Sequence, residues 1–180
     1  MSELTEKARI FCIAAHEAVQ HKRKYTGEPY FTHPYAVANM IKDFWYTEEM
    51  ICAAYLHDVV EDANINIEVI EDIFGPIVAS YVSGLTDVSK PSDGNRAIRK
   101  YIDREHTAQQ CPEVKTIKLA DLIHNSESIL KHDKEFAKVY ILEKELLLKV
   151  LKEGDEHLWR MANGIVVKAK IELGLSIFTT

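Results

Sequence analysis

Apolar residues recur at helical spacing along most of this 180-residue chain, and this periodicity limits the fold more than any other feature. In the first such segment, from Leu4 to about Lys22, the apolar residues that fit the repeat are Ala8, Phe11, Ala15, Ala18 and Val19. No segment shows the alternation of a half-buried strand or a strong hairpin turn. We therefore predict an all-α fold of about eight to ten helices, formed as a single domain over residues 1–180.

Local signals predict where the helices begin and end. Thr32 and Thr47 can cap a following helix, Gly75 can close one, and residues 90–95 form the clearest loop. The predicted helices span residues 4–22, a short segment from Thr32, a segment from Thr47 to His57-Asp58, and residues 66–74, 76–85, 95–110, 112 onward, 134–152 and 155–173. The helix over 134–152 is predicted to be amphipathic, with its apolar residues at Val139, Leu142, Leu146, Val150 and Leu151.

Charge and cysteine usage exclude several classes of protein. The formal net charge of −6 argues against a general nucleic-acid binder, because such proteins need a cationic face. No apolar stretch approaches the roughly 20 residues that span a bilayer, and the polar, acidic N-terminus is unlike a secretory signal. The three cysteines, Cys12, Cys52 and Cys111, form no CxxC pair. We therefore expect a protein of the reducing cytoplasm that binds neither nucleic acid nor membrane, and the sequence makes no prediction of its oligomeric state.

Two ionisable residues, His57 and Asp58, lie inside the apolar run A-A-Y-L-H-D-V-V-E-D at 53–62. Burying such side chains costs several kcal/mol unless they are paired or bind a metal. With His33 and Asp121 they make a set of two imidazoles and two carboxylates, which suits a divalent ion such as Mn²⁺, Fe²⁺ or Zn²⁺ that holds a hydrolytic water. The tetrad predicts a metal-dependent hydrolase. The plainer alternative is a histidine at a helix end followed by a solvated acidic turn.

The other candidate residues differ in how strongly each one indicates a metal site. A lone histidine at a helix start, such as His33, is more often a capping or surface residue. Asp121 lies in an apolar run and needs a partner, which a metal would supply. Glu61 and Asp62 are expected one helical turn beyond His57-Asp58, where they are candidate general bases or a solvated helix end.

Several polar side chains near these positions are candidates for substrate contacts. Arg23 and Lys24 end the first predicted helix, where they would either complement the helix dipole or contact phosphate or a nucleobase. Asn125 and Ser128 follow Asp121 by one and two turns, as substrate contacts or as surface residues. His124 is expected to lie outside the ligand set, and the remaining histidines show no ligand spacing: His16, His21, His106, His132 and His157.

Four ordered segments have the spacing of a known family. They are R-K-Y-T-G-E-P-Y-F-T-H-P at 23–34, A-A-Y-L-H-D-V-V-E-D at 53–62, F-G-P-I-V-A at 74–79 and K-L-A-D-L-I-H-N at 118–125. Over about residues 5–165 the chain resembles the HD-domain metallohydrolases, and among them the (p)ppGpp hydrolase domain of the RelA/SpoT family and its small stand-alone relatives.

The resemblance implies an all-α HD-domain helical bundle with one catalytic metal, typically Mn²⁺, and assigns a role to each candidate residue. The implied metal ligands are His33, His57, Asp58 and Asp121, and the residues that position or activate the attacking water are Glu61 and Asp62. The implied substrate-binding residues are Arg23, Lys24 and Tyr25 beside the guanine, and Asn125 and Ser128 beside the ribose. The reaction would remove the 3′-pyrophosphate of (p)ppGpp to give GDP or GTP, without the synthetase activity of longer family members.

The chain departs from the family pattern in two places. Position 122 is Leu where the family often has Arg, and S-E-S-I-L follows Asn125 where an arginine is more common. Without these arginines another nucleotide, such as ppApp, a deoxynucleotide or NADPH, is an alternative substrate. A non-catalytic module that binds an alarmone is the alternative from a different class, and the complete tetrad and acidic pair speak against it.

Overall fold

The computed structural model describes residues 2–42 and 46–176, and within these ranges the fold is all-α, as predicted. The described residues form ten α-helices and one 3₁₀ turn, and their only β-type pairing is an isolated bridge between Lys22 and Pro29. The helices are α1 (Glu3–Ala18), α2 (Thr32–Lys42), α3 (Glu48–Leu56), α4 (Val59–Asp62), α5 (Ile67–Phe74), α6 (Pro76–Leu85), α7 (Arg96–Ala108), α8 (Pro112–His132), α9 (Lys134–Val150) and α10 (Glu156–Glu172), and the 3₁₀ turn is Pro91–Asp93.

Most helix ends follow from local chemistry. The Thr47 hydroxyl accepts a hydrogen bond from the backbone N–H of Met50, so the predicted cap of α3 is confirmed. Gly75 has φ +88°, a conformation that favours glycine, and it separates α5 from α6. Pro76 then begins α6, where its missing N–H costs no hydrogen bond.

The first helix ends earlier than predicted. α1 stops at Ala18 rather than near Lys22, because Gln20 takes the left-handed conformation with φ +53°. The N–H of His21 then donates to the carbonyl of His16 and closes the helix end. Propensity favours continuing this helix, and no glycine marks its end in the sequence.

The chain falls into two compact units, Met1–Asp87 and Val88–Thr180. In the first unit α3 lies at the centre and packs against α1, α2 and α6. Its side chains at Cys52, Ala53 and Ala54 are inaccessible to solvent. The small residues allow the neighbouring helices to approach α3 closely.

In the second unit α8 and α9 pack against each other and against α10, and α7 packs on α9. The apolar residues of α9 do not all face this core, which differs from the predicted stripe. Leu151, the residue that follows α9, is buried, whereas Val139, Leu142 and Leu146 within α9 are more than 40% exposed. The single-domain prediction for residues 1–180 stays a prediction.

None of the helices in the described part of the chain is both long enough and apolar enough to cross a lipid bilayer.

Candidate metal centre

His57 and Asp58 lie at the end of the helix predicted from Thr47, at a break between α3 and α4. His57 follows the last residue of α3, and Asp58 precedes the first residue of α4. Asp58 occupies the N-cap position of α4, yet its carboxylate makes no cap hydrogen bond to the helix backbone. The carboxylate is therefore directed elsewhere.

Three predicted ligands converge in the first unit. The Nε2 atom of His57 lies 3.0 Å from Oδ2 of Asp58, and Nε2 of His33 lies 3.6 Å from the same oxygen. The two Nε2 atoms are 3.3 Å apart. Each of the three residues offers a ligand atom within 4.8 Å of the others, so this group could hold a metal ion. Both histidines are buried, at 0% and 2% exposure, so a bound ion would be largely shielded from solvent.

A hydrogen bond fixes the orientation of the His57 ring. Its Nδ1 lies 2.8 Å from the carbonyl oxygen of Ala54, which can only accept a hydrogen bond. Nδ1 therefore carries a proton, so in the neutral ring the lone pair is on Nε2, the atom that faces His33 and Asp58. Two imidazole nitrogens and a carboxylate oxygen, with a backbone carbonyl behind one ring, are chemically suited to a divalent cation.

Tyr30 contacts this group and was missed by the sequence reasoning. Its hydroxyl donates a 2.8 Å hydrogen bond to Oδ2 of Asp58. The ring stacks on His21, with the two centroids 3.8 Å apart and the planes 10° from parallel. Tyr30 belongs to the G-E-P-Y segment at 27–30, and the resemblance of this segment to the family pattern was the signal for a role of Tyr30.

The predicted water-activating residues both lie in α4. Oε1 of Glu61 accepts a 2.7 Å hydrogen bond from the backbone N–H of Asp87. Burial raises the pKa of Asp62, and the nearby Asp58 carboxylate raises it further, while His21 and a hydrogen bond from Tyr30 oppose the change. The Asp62 carboxylate lies 3.7 Å from Nδ1 of His21. The Asp62 side chain is about a third exposed, and its proposed role in activating water stays a prediction.

His16 is a second residue that the sequence reasoning passed over. It is 1% exposed, and neither ring nitrogen hydrogen-bonds to any described residue. Its ring centroid lies 4.9 Å from that of Tyr30. Burial lowers the pKa of His16 to about 4, partly offset by the carboxylate of Asp58. Its spacing of four residues from buried Cys12 was the signal that it faces the core of the unit.

The predicted guanine-side residues lie in the loop after α1. The guanidinium of Arg23 lies 5.7 Å from the ring centroid of Tyr30, which places it near the metal group. Nζ of Lys24 lies 4.8 Å from the Tyr25 ring centroid and 3.3 Å from its hydroxyl. Because α1 ends at Ala18, complementing its dipole does not explain Arg23 or Lys24.

The remaining predicted residues lie on α8, in the second unit. Nδ2 of Asn125 donates a 2.6 Å hydrogen bond to Oδ1 of Asp121, and Nζ of Lys118 lies 3.6 Å from Oδ2. Ser128 is half-buried on the same helix. The ligand role of Asp121 and the substrate roles of Asn125 and Ser128 stay predictions.

Curated proteins similar to this chain include two bacterial relatives. A probable guanosine-3′,5′-bis(diphosphate) 3′-pyrophosphohydrolase of Synechocystis is 40% identical over 131 residues, which cover 67% of this chain and 16% of that protein. A probable GTP pyrophosphokinase of Mycobacterium leprae is 34% identical over 122 residues, which cover 67% of this chain and 15% of that protein. The chain thus spans about a sixth of the length of these curated relatives.

Solved structures share the fold. One is described as a metazoan ortholog of SpoT that hydrolyses ppGpp; it superposes with a TM-score of 0.83 at 25% identity and covers 98% of each chain. A Listeria monocytogenes protein at 24% identity has a TM-score of 0.65, covers 80% of this chain and 99% of its own, and supports the fold alone. The sequence pattern of the family described as HD domain matches residues 8–146. This match covers well over half of the chain and includes His33, His57-Asp58 and Asp121, so the chain belongs to the HD domain family.

Proposed function

We propose that this chain is a Mn²⁺-dependent guanosine-3′,5′-bis(diphosphate) 3′-pyrophosphohydrolase, which converts (p)ppGpp to GDP or GTP and pyrophosphate. The observation that carries the proposal is the convergence of His33, His57 and Asp58 within 4.8 Å, in a chain similar to proteins described as ppGpp hydrolases. Three free cysteines, two of them buried, support a cytoplasmic location.

The proposed ligands are His33, His57, Asp58 and Asp121. A divalent cation held there supplies positive charge that lowers the pKa of a nearby water and offsets the charge of the phosphoryl group. The tautomer set by the Ala54 carbonyl keeps Nε2 of His57 available as a donor atom. Mn²⁺ is the proposed ion because the resemblance to the HD-domain metallohydrolases implies it, and the mixed imidazole and carboxylate ligands suit Mn²⁺, Fe²⁺ or Zn²⁺.

Glu61 and Asp62 are proposed to orient the attacking water and accept its proton. The water oxygen attacks the phosphorus attached to the ribose 3′ oxygen, the bond from this phosphorus to the 3′ oxygen breaks, and that oxygen takes up a proton. Phosphoryl transfer of this kind depends mainly on positioning and charge neutralisation. Burial and the nearby Asp58 carboxylate raise the pKa of Asp62, and this direction supports its role as a base.

The proposed substrate-binding residues are Arg23, Lys24 and Tyr25 on the guanine side, and Asn125 and Ser128 on the ribose side. The proximity of Arg23 to Tyr30, and of Tyr30 to Asp58, supports a place for Arg23 beside the metal. An arginine can contact phosphate through two nitrogens or stack on a base.

A nucleotide panel tests the proposed function directly. The full chain with Mn²⁺ is incubated with ppGpp, pppGpp, ppApp, a deoxynucleoside triphosphate or NADPH, and the products are separated by chromatography. We expect GDP and pyrophosphate from ppGpp, with no product from Asp58→Asn and normal turnover from Asp72→Asn, which alters an exposed carboxylate of α5. Faster cleavage of another nucleotide would identify that nucleotide, and not ppGpp, as the substrate. Tight ppGpp binding without cleavage would favour a non-catalytic alarmone-binding module.

Variants of the acidic pair separate chemistry from binding. Glu61→Gln and Asp62→Asn should bind Mn²⁺ and ppGpp normally but lose turnover by a factor on the order of 10²–10⁴. Arg23→Ala should instead raise KM for ppGpp by about ten- to a hundred-fold while leaving metal content unchanged. Wild-type turnover in both acidic variants would rule out the role of Glu61 and Asp62 in activating water. An unchanged KM in Arg23→Ala would rule out the role of Arg23 in substrate binding.

A further inference from the structure

We infer that Tyr30 is a positioning residue, whose hydroxyl holds the Asp58 carboxylate in the orientation that presents Oδ2 to the two histidines. The inference rests on the proposed metal site and not on the identity of the nucleotide. Tyr30 is outside the ligand set and the acidic pair.

The position of Asp58 in the chain is the first reason. An aspartate at a helix N-cap ordinarily accepts hydrogen bonds from the backbone N–H groups of the first turn. Asp58 makes no such bond in α4. Its Oδ2 instead lies 3.0 Å from His57, 3.6 Å from His33 and 2.8 Å from the Tyr30 hydroxyl. Asp58 has φ −102° and ψ −4°, helical angles that do not favour a capping bond, and the Tyr30 hydroxyl is a donor to its carboxylate from outside α4.

The chemistry of one oxygen atom is the second reason. A carboxylate oxygen has two lone-pair sites, so Oδ2 can accept from the Tyr30 hydroxyl and still offer a lone pair to a cation. A hydrogen-bond donor behind a ligating carboxylate fixes its orientation and strengthens metal binding. In Asp58 this donor comes from a residue 28 positions earlier in the chain.

The tyrosine is itself held on several sides. Its ring stacks on His21 at 3.8 Å and meets the ring of His16 at 4.9 Å and that of His33 at 5.8 Å. The backbone N–H of Tyr30 donates to the carbonyl of His21, and the Tyr30 carbonyl accepts from the N–H of His33. The hydroxyl is thus aimed at Asp58 by a packed ring and a fixed backbone, so little rotamer freedom is lost when it bonds.

Metal affinity is the decisive measurement. Mn²⁺ is titrated by calorimetry into the full-length wild type, Tyr30→Phe, Asp58→Asn and the matched control Tyr101→Phe, whose tyrosine is 53% exposed on α7. We expect Tyr30→Phe to bind Mn²⁺ about 10- to 100-fold more weakly than wild type, Asp58→Asn to lose binding and Tyr101→Phe to match wild type. A Tyr30→Phe affinity within twofold of wild type would overturn the inference.

Two further readouts exclude a purely structural effect. The phenylalanine keeps the packed ring, so the thermal unfolding midpoint of Tyr30→Phe in EDTA should stay close to that of wild type. The visible spectrum of the Co²⁺-loaded protein reports ligand geometry, and it should change in Tyr30→Phe and not in Tyr101→Phe. A positioning role is contradicted if Tyr30→Phe binds Mn²⁺ more weakly, unfolds at a lower temperature and leaves the Co²⁺ spectrum unchanged. Loss of stability would then explain the weaker binding.

The outcomes also separate this inference from the proposed function. If wild type binds Mn²⁺ and Tyr30→Phe binds it weakly, the inference stands even when no ppGpp is cleaved, and only the proposed substrate fails. If wild type binds no Mn²⁺, both the metal site and the role of Tyr30 are overturned.

Discussion

His16 shows how burial of one residue links stability to pH. Its pKa falls from 6.5 to about 4 in the folded protein. Between these values the unfolded chain binds a proton at this residue that the folded chain does not, so stability falls as the pH drops through this range. The loss levels off below the folded-state pKa.

We therefore predict that replacing His16 removes part of the acid sensitivity. For the metal-free protein in EDTA, the unfolding free energy of wild type should fall between pH 6.5 and 4 by up to about 3 kcal/mol more than that of His16→Leu. Urea unfolding at a series of pH values measures this. His157→Gln changes an exposed histidine of α10 and should keep the wild-type slope. A slope in His16→Leu equal to that of wild type would contradict the buried neutral histidine.

The cysteines give a second prediction for individual residues. Burial raises the pKa of Cys52 to about 12 and raises that of Cys12 further, whereas Cys111 is exposed. Because the thiolate is the reactive form, one of the three thiols should react quickly with an aromatic disulfide reagent at pH 8 in the native protein. All three should react in denaturant, and Cys111→Ser should abolish the fast native phase. Fast reaction of a second thiol would show that the packing around α1 or α3 opens readily.

At the scale of elements, the buried carboxylate of Asp103 hydrogen-bonds a loop to a helix. Asp103 on α7 is 6% exposed. Its Oδ1 accepts hydrogen bonds from the backbone N–H groups of Val88 and Ser89, and its Oδ2 accepts one from the Ser89 hydroxyl. These bonds hold the segment that leads into the 3₁₀ turn Pro91–Asp93.

Asp103→Ala should therefore destabilise the protein by about 1–3 kcal/mol, because it leaves several donors without their acceptor. Hydrogen exchange at the Val88 and Ser89 amides should accelerate in parallel. The matched control is Asp93→Ala, which removes an exposed carboxylate that also accepts from a backbone N–H, that of Lys90. Water can replace that bond, so the control should cost less. Equal losses in the two variants would argue against a special role for burial at Asp103.

At the scale of the whole molecule, a metal that binds only the folded chain must stabilise it. Under the proposed metal site, Mn²⁺ at 100 times its dissociation constant should add about 2.7 kcal/mol to the unfolding free energy. For a chain of this length the melting temperature should rise by roughly 5–10 °C. Thermal unfolding with and without EDTA measures the shift. Asp72→Asn should keep the shift and Asp58→Asn should lose it, and an equal shift in both would place the ion elsewhere.

The sequence determined the helical class and most helix boundaries, because these depend on neighbouring residues. Thr47 was expected to cap α3, and Gly75 and Pro76 to separate α5 from α6, and the structure has all three. The resemblance to HD-domain metallohydrolases was also readable from short motifs and is confirmed. Cys12 and Cys52 lie in apolar helical stretches of the sequence, and both are buried.

The tertiary structure decided what depends on distant contacts or on an uncommon backbone conformation. Gln20 ends α1 in a left-handed conformation, which a glutamine in the sequence does not predict. The exposure of Val139, Leu142 and Leu146 was decided by which face of α9 its neighbours cover, since apolar residues lie on more than one face of that helix. The hydrogen bond from Tyr30 to Asp58 joins residues far apart in sequence, and the break between α3 and α4 lets that carboxylate face His33 and His57. Helical periodicity describes spacing within one segment, and only folding brings such separate segments into contact.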